Sequence, residues 1–307
     1  MNPRQKAFAS LHIAIVIFSF TAILGDLISI DAVALVWWRL VIALAFFLPV
    51  LLYRKLIRWQ EFRAVRRSLI LVSIFLALHW VTFFSSIKLS NASIGVLCLA
   101  TTSALTAVIE PVITKRPFRW AELIIGLLIL PGMFLVVSSV DASMYLGIVF
   151  GILSALFAAL FTTHNKSIVG KGSTLFFTSI ELFFAFLLLS VLSIVVRLWE
   201  PAFQLWPVPF SDWKYLLVLA VVCTTIAYTL AFDALKHMTA FTANLSVNLE
   251  PVYGIILAAW ILNENEEMHS RFYLGAGLIL LIVFIFPIFE KKVLNRKPIK
   301  PNAATFP

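Results

Sequence analysis

The sequence predicts an all-α polytopic membrane protein with ten transmembrane helices in a 5+5 inverted-repeat arrangement. Three observations carry that reading. The 307 residues are 62% hydrophobic and only 13% charged, roughly half the charged fraction of a soluble domain, and the mean hydropathy is +1.00. The apolar residues are gathered into runs of about 18 to 24, each long enough to cross a hydrocarbon core of about 30 Å as a helix. Finally, the two halves of the chain are distant copies of each other.

The first run, 7 to 25, follows Arg4 and Lys6 like a secretory leader, but it is too long and lacks a convincing small-x-small cleavage site, so a retained helix is expected. The second, 32 to 53, opens after Asp31 and carries Trp37, Trp38 and Arg39. The third, 67 to 87, follows a basic loop at 54 to 67 and holds His79 and Trp80 at its middle. The fourth, 92 to 114, ends in Glu110-Pro111, and the fifth, 120 to 139, starts at Trp120. The sixth to eighth are 144 to 164, 174 to 197 and 212 to 232; the ninth, 239 to 262, contains Glu250-Pro251; the tenth is 271 to 289. These divide the chain into a first five-helix repeat at 1–141, a second at 142–290 and a basic tail at 291–307.

Charge sets the orientation. With the N-terminus inside, the inner segments collect 19 of the 24 basic residues, including the cluster Arg54, Lys55, Arg58, Arg63, Arg66 and Arg67 and the tail from Lys291 to Lys300. The outer segments hold Lys88, Arg197, Lys214 and Arg271 beside acids such as Asp26, Asp31, Glu264, Glu266 and Glu267. Both termini are therefore expected in the cytoplasm of a cytoplasmic (inner) membrane. Tryptophans agree: Trp37, Trp38, Trp199, Trp206, Trp213 and Trp260 fall on the outer side, Trp59 and Trp120 on the inner, and Trp80 alone lies deep in a span. The net charge of +9 follows from this bias, so a nucleic-acid partner is not expected.

Several chemistries lack the residues they need. Cys98 and Cys223 sit singly, without CxxC spacing, and His12, His79, His164, His237 and His269 are scattered one per segment. No metal and no cofactor is expected. Neither a phosphate-binding glycine loop nor a GxSxG elbow occurs. A membrane-embedded lipid-modifying enzyme, the alternative to a transporter, needs a nucleophile and base or metal ligands clustered together, and no such cluster is visible.

The repeat is read from two offsets. SIKLSNASIGV at the end of the third run matches DALKHMTAFTANL at the end of the eighth, with Lys88 on Lys236 at an offset of 148, and FSFTAIL at 18 to 24 resembles LFTTHNK at 160 to 166 at an offset of 142. An odd number of spans per half turns the second copy upside down. Inverted repeats with a midplane site mark alternating-access transporters.

The ten spans, the duplication, the short loops, the stretch KHMTAFTANLSVNLEPVYGIILAAWILNENEE and its weaker partner KLSNASIGVLCLATTSALTAVIEPVI together resemble the EamA-type permeases of the drug/metabolite transporter superfamily. The resemblance implies helices 1, 3, 4, 6, 8 and 9 around a central cavity and an activity of moving small metabolites such as amino acids, often outward. A small-molecule substrate, the lipid bilayer and protons are the expected partners, and a homodimer is compatible with them.

Glu250 lies about 10 residues into the ninth run, roughly 15 Å deep and near midplane. Pro251 removes an N–H and disturbs the carbonyl one turn back, and broken backbone at that depth needs a cavity or protein to satisfy it. Two roles fit Glu250: a proton-coupling carboxylate, or a buried acid bonded to a neighbouring helix. Asn244 and Asn248 are candidates for substrate binding or for interhelical hydrogen bonds, and Tyr253 for substrate binding. His79 and Trp80, with Thr82 and Ser86 on a polar stripe, are candidates on the third helix, where the resemblance places a cavity wall; His79 there serves as a carboxylate ligand, a proton relay or a structural histidine. Glu110 is expected near the inner interface, closing a helix end and tolerant of Gln. Arg39, about 11 Å from the outer surface by helix rise, is expected to snorkel, and its partner at offset 142, Glu181, is likewise read as structural.

Overall fold

The computed structural model describes residues 2–264 and 270–293. Those residues are helical throughout, without a strand. Among the described residues, eight helices are long and apolar enough to cross a membrane: α1 (Pro3–Leu27), α2 (Ala32–Tyr53), α3 (Trp59–Leu89), α4 (Ala92–Thr114), α5 (Trp120–Val137), α6 (Ala142–Ile168), α7 (Thr174–Trp199) and α8 (Phe210–His237). The ninth run folds instead as two short helices, α9 (Ala240–Val247) and α10 (Glu250–Ile261), and α11 (Ser270–Val293) follows. Glu266, Glu267, His269 and the basic tail beyond Val293 lie outside the described residues.

One sequence expectation changes at α3. Its helix begins at Trp59, so Arg63, Arg66 and Arg67 occupy its first turns and not a loop. The segment from Trp59 contains no Gly or Pro to stop the helix, and the arginines extend from it as a solvated collar.

The middle of the molecule is an antiparallel pair, α4 against α9–α10, with α9 packed on the second half of α4 and α10 on the first. In the most apolar window of α4, 83% is buried, against 33% in α7. The first helix is thus a core element and the second a peripheral one. Two outer pairs flank this centre, α2 with α7 and α5 with α11. Lipid offers no hydrophobic drive for helices to pair, so close backbone approach has to supply the contacts. Gly132 of α5 and Gly275 of α11 do this: a Cβ on Gly132 would stand 2.8 Å from the Gly275 carbonyl oxygen, and one on Gly275 2.6 Å from that of Gly132.

The inverted repeat appears in local chemistry. Asn91 caps α4 by accepting from the Ile94 N–H at 2.9 Å, and Thr239, which is 148 residues later, caps α9 by accepting from the Thr242 N–H at 3.0 Å. Such caps satisfy one of the orphan N–H groups of a first turn. The next two are taken by a carboxylate from the far end of the partner helix. Glu110 accepts from Ala240 N–H at 2.9 Å and Phe241 N–H at 2.8 Å, while Glu264 accepts from Ala92 N–H at 2.9 Å and Ser93 N–H at 3.0 Å. Each helix of the central pair therefore ends in the clamp that starts the other. The offset also pairs two irregularities, because α4 tightens into a 3₁₀ turn at Leu99–Thr101 and 148 residues on the chain breaks between α9 and α10.

Glu110 is consequently not the water-exposed interfacial acid expected from its depth. It is 1% exposed and also accepts from Arg116 at 3.1 Å, whose guanidinium is shared with Glu122. Depth along the helix was judged correctly, but the N-terminus of α9 and the turn carrying Arg116 cover the position.

Candidate functional site

The break before Glu250 is built by its own sequence. Pro251 has no N–H to donate, and the surrounding bonds shorten to three-residue spans: Leu249 N–H donates to Ser246 O at 3.1 Å and Val252 N–H to Leu249 O at 3.1 Å. Glu250 and Pro251 then open α10, where proline fits naturally at a first turn.

This break borders a cavity of about 130 Å³. Its wall is supplied by α1, α2, α3, α4, α6, α8, α9 and α10, including Phe18 and Thr21, Arg39, His79, Trp80 and Phe83, Thr102, Phe161 and Asn165, Tyr228 and Phe232, Asn244 and Glu250. It runs from mid-bundle toward the end of the molecule that carries the start of α1, since Leu11, Leu235 and Ala243 also line it. At the other end a tryptophan cluster closes the bundle. Trp37 and Trp38 meet edge to face at 5.0 Å, Trp38 meets Trp213 at 5.1 Å, and the two indole N–H groups donate to Ser190 Oγ and Leu205 O at 2.9 and 2.7 Å.

Glu250 is 5% exposed, and no hydrogen bond or ion pair holds its carboxylate among the described residues. Arg39 lines the same cavity, with no ion pair between the two side chains. His79 is tied down on one side: its Nδ1 lies 3.0 Å from the carbonyl oxygen of Ser154 and 2.8 Å from the Ser154 Oγ, which donates back to the His79 carbonyl at 3.0 Å. A carbonyl can only accept, so Nδ1 carries the proton and Nε2 is left as the free acceptor. The ring stacks on Phe161 at 5.8 Å. Trp80 meets Tyr228 edge to face at 6.3 Å.

The remaining sequence candidates separate. Asn244 reaches the cavity, and its Nδ2 donates to Thr106 Oγ1 of α4 at 2.8 Å. Asn248 lies off the cavity wall, with Nδ2 donating to Ser103 Oγ at 3.0 Å. Tyr253 is also off the wall, on the outside of the bundle, with its hydroxyl 3.2 Å from His12 Nε2. Asn248 and Tyr253 do not line this cavity, and Asn248 makes the interhelical hydrogen bond that was the second expectation for the Asn pair. Pro251 shapes the site without lining it. Thr82 is satisfied by its own helix, donating to the Leu78 carbonyl at 2.6 Å, and takes no part in the cavity.

Two groups were missed. Arg39 does not snorkel: it is 2% exposed, its guanidinium lies 3.8 Å from the Trp80 ring centre, and its Nε donates to Thr224 Oγ1 at 2.5 Å. Thr224 is presented by a π-helical turn, Val221–Ile226, inside α8, a local widening often found at functional sites. Elsewhere on the wall, Asn165 Nδ2 donates to the Tyr228 hydroxyl at 3.1 Å, and Tyr228 donates to Glu181 behind it. The repeat offsets held the signal for both, because they relate Arg39 to Glu181 and Trp80 to Tyr228: a cation with an aromatic ring in one half, an acid with an aromatic ring in the other.

A multi-pass membrane bundle with an inverted internal repeat and a largely apolar central cavity carrying a few polar groups is the architecture of a membrane transporter. The chain belongs to the EamA-like transporter family, whose model matches residues 6–138 and 145–287. Among solved structures, a crystal structure titled only as that of a protein is similar with a TM-score of 0.68 and 16% identity, covering 94% of this chain and 98% of that one; the likeness shows the fold. No curated protein matches the sequence.

Proposed function

We propose that this protein is a secondary transporter that exports small metabolites such as amino acids across the inner membrane by alternating access, with Glu250 coupling transport to protons. Ten spans result when the broken α9–α10 is counted as one and α11 as the last, and both termini then lie in the cytoplasm, as the 19 to 4 distribution of basic residues favours. One observation carries this reading: a carboxylate without a hydrogen bond among the described residues stands at a helix break beside a mid-bundle cavity. An intramembrane acid is costly to keep, and the break gives the two halves of the span a place to move against each other. His79, Trp80 and Asn244 form the binding surface around it. In that orientation the cavity points to the cytoplasm, with the tryptophan cluster as the closed outer side.

Comparing metabolites in the medium of deletion and overexpression strains tests the activity. A compound that accumulates outside in proportion to expression is the expected result, and media that do not differ would count against export. Topology has its own check: a reporter fused after residue 290 should read cytoplasmic, and a periplasmic signal would overturn the orientation.

A further inference from the structure

Resting on the reading of this cavity as the transport site, we infer that Arg39 anchors an anionic group of the substrate, so that the cavity takes a small organic carboxylate with an apolar or aromatic body. A guanidinium inside a helix bundle is expensive unless its donors are used. Arg116, partly buried, leaves Nε and Nη1 without hydrogen bonds but is neutralised by two carboxylates, Glu110 and Glu122. Arg39 is not. Its Nε bonds Thr224, its Nη1 is buried without a partner, its Nη2 makes no hydrogen bond among the described residues, and no carboxylate lies within 4.0 Å.

Every neighbouring group that titrates leaves this gap open. Glu250 acts on Arg39 only from a distance. His79 is committed through Nδ1 to Ser154, Glu181 receives the Tyr228 hydroxyl, and the Cys223 thiol is directed at the Ile17 carbonyl at 3.5 Å. Meanwhile the Trp80 face under the guanidinium holds its plane and leaves one edge of the fork for a ligand. Two free N–H groups on a planar cation match the two oxygens of a carboxylate.

The remainder of the wall defines the body of the ligand. Phe83, Phe161, Tyr228 and Phe232 are aromatic, which suits an apolar or ring-bearing group with a few polar anchors. A volume of about 130 Å³ holds about ten water-sized groups. The ligand is therefore about that many non-hydrogen atoms in size.

Purified full-length protein titrated calorimetrically with four probes of one shape decides the matter: phenylacetate, phenylalanine, phenethylamine and 2-phenylethanol. Both carboxylates should bind at least about tenfold more tightly than the alcohol and the amine, the worth of a charge-assisted hydrogen bond. Arg39→Gln should erase that preference, and Arg39→Lys, which keeps the charge and loses the fork, should fall between. Phenylacetate binding no better than 2-phenylethanol, or an unchanged preference in Arg39→Gln, overturns the anchor; should Arg39→Gln not fold, the wild-type comparison alone decides. Counterflow of labelled probes in vesicles separates the two readings. Carboxylate-selective binding without movement supports the anchor and speaks against transport, whereas movement of the amine or alcohol with no preference for carboxylates keeps transport and removes the anchor.

Discussion

Glu110 and Glu250 each precede a proline within a membrane-spanning stretch, and their surroundings could hardly differ more. Glu110 is saturated: two backbone N–H groups of α9 and the Arg116 guanidinium occupy its oxygens. Glu250 has no hydrogen bond among the described residues and faces a cavity. Glu110 follows an unbroken turn of α4 near the end of that helix, where Pro111 leads into the final residues before Lys115. Glu250 starts a new helix after a break. The same dipeptide thus closes a joint in one place and leaves a carboxyl group available in the other; what distinguishes them is whether the neighbouring helix offers donors. Stability should depend on the first and transport on the second.

The sharpest way to break that comparison is a pair of identical substitutions. Glu110→Gln removes the charge that holds Arg116 and weakens two bonds to the start of α9, so it should lower unfolding stability by about 2 to 4 kcal/mol. Glu250→Gln should change stability by less than about 0.5 kcal/mol, because it breaks no bond. Thermal unfolding of both proteins in detergent checks this, and equal losses would dissolve the distinction.

Glu264 sharpens it further. Its clamp on Ala92 and Ser93 has the geometry of the Glu110 clamp but no arginine among the described residues, so Glu264→Gln should cost about 1 to 2 kcal/mol. A loss larger than that of Glu110→Gln would mean that the cation contributes nothing. Smallest are the two residues moved off the cavity wall. Asn248→Ala removes one interhelical bond to Ser103 and should cost about 0.6 kcal/mol; Tyr253→Phe, at the surface of the bundle, should cost less than about 0.5 kcal/mol. Neither should alter substrate affinity in a binding titration, and a clear loss of affinity in either would return it to the site.

Hydropathy made the membrane helices legible in the sequence, because each span has to satisfy its own backbone in lipid and must be long and apolar to do so. The rise per residue put Glu250 well inside the ninth run and His79 and Trp80 well inside the third, and all three line the cavity. Contacts between helices were not legible. Depth put Arg39 within reach of the outer surface, but only tertiary structure shows Trp80 and Thr224 beneath it. The Glu110 clamp depends on the start of a helix 130 positions away, and no local pattern announces that. Asn244 and Asn248, four residues apart, both bond to α4 as their spacing allows. The inverted repeat was the underused signal, since its offsets join Asn91 to Thr239 and Arg39 to Glu181.

The central claim is that Glu250 is left without partners in order to carry protons, and flux through reconstituted vesicles under an imposed pH gradient tests it most directly. Glu250→Gln keeps the shape of the side chain and cannot ionise. The account predicts that this variant folds and binds substrate like the wild type and loses gradient-driven flux, while Glu110→Gln protein that survives purification still responds to the gradient. Gradient-driven uptake at the wild-type rate by Glu250→Gln would contradict it and remove Glu250 from the mechanism.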